Sequence, residues 1–336
     1  MNAVMGIEQG KLGFGQIPVP ELSEFEALVH MDACAICNST DWKVIQNEFV
    51  PGPFPIVLGH EVVGTVVEVD KKVKNYSIGD RVFRQRLRDE HVPGEGRSCW
   101  GGMAEYAIVV DEWAKQDLPY DPEALPHDQQ KLILDINPPD ATAMVTLMET
   151  LDCIMNCGVG PNLSVAVVGS GPVGQCFSRF AVLLGASPVF SFGRSKRNRE
   201  RFANVVRCDG YITGKSYPID VQNILTNGGF DIVIEAVGST EALDHAVLLS
   251  GQRGSVYIYG IAPVSNPYSD SILKRKNVYV VGAVEGRVQH LVADYIERGE
   301  IKLTDWISHK FSITDYQQAF DLVHSRQAIK CVLVNT

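Results

Sequence analysis

The run Leu163 to Ala186, Leu-Ser-Val-Ala-Val-Val-Gly-Ser-Gly-Pro-Val-Gly-Gln-Cys-Phe-Ser-Arg-Phe-Ala-Val-Leu-Leu-Gly-Ala, constrains the fold more than any other stretch. Ser164 to Val168 is short and mostly β-branched, as in a strand buried on both faces. Gly169, Gly171 and Gly174 then fill a G-x-G-x-x-G pattern, which permits a tight turn, close approach of a pyrophosphate and packing of helix on strand. Val173, Phe177, Phe180, Ala181 and Leu184 recur at helical spacing, and Pro188 to Phe192 reads as a second strand. Glycines alone also mark ordinary turns, but here strand, glycine turn, helix and strand follow in one βαβ unit. Gly169, Gly171, Pro172, Val173 and Gly174 are therefore expected to hold a dinucleotide at a helix N-terminus, which favours an anion.

The end of the second strand bears on which dinucleotide. An NAD site usually places an acid there for the ribose 2′-OH, whereas this chain reads Phe192-Gly193-Arg194-Ser195-Lys196-Arg197. Arg194 and Arg197 can pair with a 2′-phosphate and Ser195 can donate a hydrogen bond to it, so NADP is favoured and NAD is the alternative. Gly193, Val237-Gly238 and Gly260, at the ends of strand-like runs, complete the predicted cofactor-binding set.

With 336 residues the chain is long enough for about two domains. Thirty Lys and Arg against forty Asp and Glu give a net charge of −10, which argues against nucleic acid or an anionic membrane as partner. No run approaches the ~18 apolar residues of a membrane helix. The opening Met-Asn-Ala-Val-Met-Gly lacks a leader-like pattern, and the eight cysteines are scattered. A cytoplasmic, reducing setting is therefore expected.

Residues 1–145 read as short strands and turns, with strands at Ala27–Ala33, Val62–Val69, Arg81–Phe83 and Ala104–Val110. From about Thr146 strands at Ile232–Ala236, Ser255–Tyr259 and Val278–Val281 alternate with helices at Arg199–Val206, Thr240–Leu249 and Ser271–Lys276, a doubly wound α/β signature. After Gly282 come amphipathic helices at Val288–Arg298 and Tyr316–Ser325, then the apolar run Cys331–Val334. The expected fold class is α/β: a mainly-β catalytic domain from 1–145 and 283–336, interrupted by a doubly wound dinucleotide-binding domain from 146–282.

Within the first part, Cys37 with Asp41, the pair His60-Glu61, and Glu149 supply a thiolate, an imidazole and carboxylates, the donor set of a catalytic zinc. Arg84, Arg86 and Arg88 alternate and read as a solvated strand face, and His91 and Cys99 as loop residues. Trp42, Phe49, Phe54 and Trp100 belong either to a substrate pocket or to the core. Cys34 and Cys37 form a C-x-x-C spacing without a thioredoxin-like context.

In these residues the chain resembles the zinc-dependent medium-chain dehydrogenase/reductase family. The resemblance rests on Ala-Ile-Cys-Asn-Ser-Thr-Asp at 35–41, Val-Leu-Gly-His-Glu-Val-Val-Gly at 57–64, Gly-Asp-Arg-Val at 79–82 and Gly-Gly-Met-Ala-Glu-Tyr at 101–106. It continues through Met-Glu-Thr-Leu at 148–151, Gly-Ser-Gly-Pro-Val-Gly at 169–174 and Asp-Ile-Val-Ile-Glu-Ala-Val-Gly at 231–238, in family order over nearly the whole chain.

The resemblance implies a GroES-like catalytic domain plus a Rossmann domain, often as a homodimer or homotetramer. It implies Cys37 and His60 as zinc ligands, with Glu61 and Glu149 as ligands or in exchange with water, and Asp41 orienting His60. It implies that Ser39 or Thr40 relays the alcohol proton. A carboxylate at Glu149 resembles the polyol, sugar and threonine dehydrogenase branch. Of the four-cysteine lobe that often holds a structural zinc only Cys99 is present, so one catalytic zinc and no structural zinc are expected. The activity implied is hydride transfer between a nicotinamide and a secondary alcohol or ketone. A zinc-free NADPH quinone or enone reductase, and a non-catalytic nucleotide-binding structural or regulatory protein, are the alternatives.

Overall fold

The chain opens with a hairpin that its pattern does not announce: Asn2–Glu8 (β1) pairs antiparallel with Lys11–Gln16 (β2). Gly10 turns it at φ 77°, a conformation that costs a glycine little. In the computed structural model, which describes residues 1–122, 125, 127–214, 217–275 and 277–335, six more strands follow before residue 111. They are Glu26–Ala35 (β3), Ile56–Val57 (β4), Glu61–Val69 (β5), Arg81–Phe83 (β6), Arg97–Ser98 (β7) and Tyr106–Val110 (β8). Strand β3 has eight of ten residues buried and is paired on both sides, which explains its largely continuous apolar run.

A helix from Pro138 to Asn156 starts well before the change of texture expected at Thr146. Its start signals are Asn137, whose Oδ1 accepts the N–H of Asp140 at 3.1 Å, and two prolines, tolerated in a first turn whose N–H groups lack partners anyway.

Val165–Val168 (β9), Val189–Gly193 (β10), Gly210–Thr213 (β11), Ile232–Glu235 (β12), Ser255–Ile258 (β13) and Val278–Val280 (β14) form one parallel sheet. Its order, β11-β10-β9-β12-β13-β14, is that of the doubly wound dinucleotide fold, with β9 beside the point where the order reverses. All four residues of β9 and of β12 are buried, and Phe190, Phe192, Phe230, Leu243, Val256 and Ile258 share one core cluster. Lys276, at the end of one predicted helix, lies outside the described residues.

His309–Ser312 (β15) and Cys331–Val334 (β16) return to the first sheet, whose order is β15-β16-β3-β5-β6 with β8 also paired to β3. The chain thus divides into one unit of Met1–Met148 with Val284–Thr336, and a second of Glu149–Ala283. Mainly-β GroES-like and Rossmann architectures account for the two. Among the described residues no helix is long and apolar enough to cross a membrane.

Candidate metal centre and dinucleotide site

Strand register brings the metal-binding residue types together. β3 and β5 are antiparallel with Ala35 opposite Glu61. Cys37, two residues past Ala35, and His60, one before Glu61, therefore leave the sheet at the same end. On the other side of β3, Val332 of β16 also lies opposite Ala35, which delivers Lys330 to that end. One ligand atom from each of Cys37, His60 and Glu61 lies within 4.8 Å of the others.

Around this cluster the polar groups are oriented. Asp41, buried in the first turn of the Thr40–Ile45 helix, accepts the N–H of Cys37 through Oδ2 at 2.8 Å and holds Oδ1 3.5 Å from Nδ1 of His60. That Nδ1 is buried and has no hydrogen bond of good geometry. Burial pushes the imidazole's pKa down, but hydrogen-bonding and electrostatic contacts with Asp41 and Cys37 outweigh it, leaving His60 raised well above its ordinary value. The pocket thus favours positive charge between a thiol and a carboxylate, and a divalent ion on Cys37 and His60 fits that demand.

Glu61 is otherwise engaged. Its carboxylate forms an ion pair with Lys330, 4% exposed, and accepts the Thr146 hydroxyl at 3.1 Å, while Lys330 Nζ also donates to Thr146 at 2.8 Å. Sequence reasoning missed both Lys330 and Thr146. The signal for Lys330 was a lysine standing at the threshold of a fully apolar run that had to be buried.

Ser39 and Thr40 separate clearly. Ser39 is exposed and its hydroxyl accepts from Lys43 at 3.1 Å, whereas Thr40 is buried. Trp100 sets its ring 4.9 Å from that of His60, with Phe49 stacked 6.5 Å from Trp100. Trp42, Phe49, Phe54 and Trp100 pack against one core cluster, which also contains Cys99. Cys99 is buried rather than a solvated loop thiol, and burial pushes its pKa up to about 12. The alternating arginines also differ from expectation: Arg84 pairs with Glu285, Arg86 with Asp128 and Arg88 with Glu26, and Arg84 is buried. Each cation is matched by a carboxylate because the run leaves the sheet edge and packs against other segments. Cys34 is a buried free thiol directed at the carbonyl of Ala35. Glu149 lies in the second unit, where it accepts the Tyr259 hydroxyl at 3.2 Å.

In that second unit the glycine turn follows β9 directly. A Cβ at Gly174 would lie 2.2 Å from the carbonyl oxygen of Gly169, so only glycine lets the Pro172–Leu183 helix approach so closely. A Cβ at Gly171 would meet nothing, leaving space where a pyrophosphate would approach. Pro172 and Val173 open the helix. Arg194 and Arg197 are exposed just past β10, and among the described residues neither forms an ion pair. The Ser195 hydroxyl accepts the N–H of Arg197 at 3.3 Å.

Of the other predicted cofactor positions, Gly193 ends β10 beside Tyr211 and Ser170, while Val237, Gly238 and Gly260 are held by two residues the sequence reading did not single out. Fully buried Glu235 accepts the N–H groups of Val237 and Gly238 at 2.7 and 2.9 Å. Tyr268 donates to Glu235 at 2.7 Å and lies within hydrogen-bond reach of the Gly260 carbonyl at 2.9 Å. Burial, and then the charge of Glu235, push the Tyr268 pKa up.

Comparison with known proteins bears on both units. The family model of the alcohol dehydrogenase GroES-like domain matches residues 23–119, and that of zinc-binding dehydrogenases matches residues 172–300. D-arabinitol dehydrogenase 1 of Uromyces fabae is 26% identical over 341 residues, spanning 93% of this chain and 90% of its own. L-threonine 3-dehydrogenase of Pyrococcus horikoshii is 26% identical over 360 residues, spanning 98% of each. Among solved structures, alcohol dehydrogenase TADH from Thermus sp. ATN1 aligns over 100% of both chains with a TM-score of 0.77 at 22% identity, a likeness of fold.

Proposed function

This chain belongs to the zinc-type, alcohol-dehydrogenase-like medium-chain dehydrogenase/reductase family, and from that premise we propose that it transfers a hydride between NADP and a secondary alcohol or ketone of the polyol, sugar or amino-alcohol class. The observation that carries this reading is the convergence of Cys37, His60 and Glu61 within 4.8 Å. A polyol and a threonine dehydrogenase among the relatives support an alcohol as substrate.

Cys37 and His60 are the residues proposed to hold one zinc ion, with Glu61 and Glu149 as further ligands or in exchange with water. When bound, the ion supplies Lewis-acid polarisation of the substrate oxygen. Asp41 holds the Cys37 backbone by a hydrogen bond and stands 3.5 Å from Nδ1 of His60, where it would orient the ring once the ion is bound. Lys330 and Thr146 hold the Glu61 carboxylate in place and balance its charge. Thr40, buried where Ser39 is exposed, is the hydroxyl better placed to pass the alcohol proton on. In the dinucleotide unit the glycine turn takes the pyrophosphate at a helix N-terminus. Arg194, Ser195 and Arg197 are assigned to the 2′-phosphate, which favours NADP over NAD.

The test is metal analysis of the purified protein, followed by assays with polyols, sugars and amino alcohols under NADP and NAD. About one zinc per chain with turnover preferring NADP is expected. Turnover with zinc near zero would replace this reading with a metal-free reductase.

A further inference from the structure

Among the arginines flanking the aromatic wall, Arg97 stands apart. Arg84, Arg86 and Arg88 each face a carboxylate. Arg97 is 8% exposed, and among the described residues no carboxylate lies within ion-pair distance of it. Its Nε and Nη2 are buried without any hydrogen-bond partner. These two nitrogens form one edge of the guanidinium, the fork that receives two oxygens of a carboxylate or phosphate side by side. A buried cation left unpaired is costly, and the cost is recovered when a counter-charge arrives.

The neighbours of Arg97 link it, through a short stretch of chain and two stacked rings, to the face of His60. A Cβ at Gly52 would lie 2.6 Å from Nε, so the guanidinium edge rests against a residue with no side chain. Gly52 belongs to the turn that carries Phe49, and Phe49 stacks on Trp100, whose ring faces His60. Three residues of chain, at most ~10 Å, separate Arg97 from Trp100. The turn that carries Gly52 has two non-glycine residues in the left-handed region, Asn47 and Val50 at φ of 59° and 48°, which is rare for a β-branched residue.

We propose that Arg97 receives an oxyanion group, a phosphate or a carboxylate, carried by the substrate at the end remote from its reacting carbon. This rests on the alcohol-dehydrogenase reading for the reaction, but not for the binding. Gly52 is then the residue that keeps the fork clear.

Two variants test it, Arg97→Met and Gly52→Ala, the second retaining the charge and filling the space beside Nε. Inorganic phosphate and succinate are titrated separately onto the wild-type protein and both variants, with tryptophan fluorescence and calorimetry as readouts. The two probes distinguish phosphate from carboxylate recognition. Saturable binding of one of them by wild-type protein, weakened at least about tenfold in both variants, is expected. Each variant is first checked for a wild-type melting transition, and Gly52→Ala decides if Arg97→Met does not fold. Kinetics of the variants with a neutral alcohol, and with the same alcohol carrying a remote phosphate or carboxylate, should show a raised KM for the anionic substrate alone. Failure of both probes to bind wild-type protein, or equal binding by wild type and the folded variants, overturns the proposal. Anion binding that persists in a preparation without dehydrogenase activity would instead overturn the reaction and leave Arg97 its ligand.

Discussion

The two units build their candidate sites from different materials. In Glu149–Ala283 the groups proposed to take a dinucleotide are largely those of the backbone, and they cluster in sequence at the glycine turn and at strand ends. In the other unit the site is made of side chains: those at 37, 60, 61 and 330 are brought together by the order β16-β3-β5, and helices add Asp41 and Thr146. A backbone site requires a local conformation, which glycines specify locally. A side-chain site requires a register, and a one-residue slip would turn each contributing side chain to the opposite face.

If that division holds, breaking the side-chain site should leave the backbone site intact. Cys37→Ala is expected to abolish bound zinc and reduce turnover to background while NADPH binding, followed by its fluorescence, stays at the wild-type level. Asp41→Asn, which acts through His60 and the Cys37 backbone, should cost about 10–100-fold in metal affinity or activity. Loss of NADPH binding in folded Cys37→Ala protein would show that the two sites are not separable.

The second effect is on stability. Lys330 and Glu61 are both buried, so Lys330→Met leaves a carboxylate without its cation and should destabilise by about 3–5 kcal/mol. The double variant Lys330→Met/Glu61→Gln removes both charges and is expected to recover most of that loss in chemical denaturation. A single variant as stable as wild type would mean that the pair does not hold this end of the sheet.

Legibility followed the same division. The Ser164–Phe192 unit was readable because each of its signals, β-branched run, glycine spacing and helical period, sits within thirty residues. The family resemblance, not spacing, pointed to Cys37 and His60 as partners. Lys330 was invisible because its partner lies 269 residues away and only the β3 register joins them. Arg84 was misjudged for a related reason: alternation describes a strand face, but not whether Glu285 will cover it. Glu235 escaped because an acid ending a buried strand gains its role only from the N–H groups of the turn beyond it.

A smaller effect sharpens the contrast from the other side. Removing Arg194 and Arg197 together is expected to raise KM for NADP about 10–100-fold, the loss of one or two charge-assisted hydrogen bonds, with KM for NAD little changed. Zinc content should not move. Equal weakening of both cofactors would mean that the arginines shape the turn instead of meeting a 2′-phosphate.

The smallest effect concerns how each unit starts a helix. Ser239 caps Thr240–Ser250 by accepting the N–H of Ala242 at 3.2 Å, and no other contact of its hydroxyl is seen among the described residues. Asp111 caps Glu112–Lys115 but also binds the N–H groups of Lys74 and Asn75, each at 2.8 Å, so that cap is a tertiary junction. Ser239→Ala therefore removes one local bond and should cost about 1 kcal/mol in chemical denaturation. Because the helix follows β12, whose far end carries the Val237-Gly238 turn, NADPH affinity should fall less than the stability does. A loss well above that figure would show that local bonds in the dinucleotide unit carry tertiary weight too, and the contrast between the two units would then be one of degree.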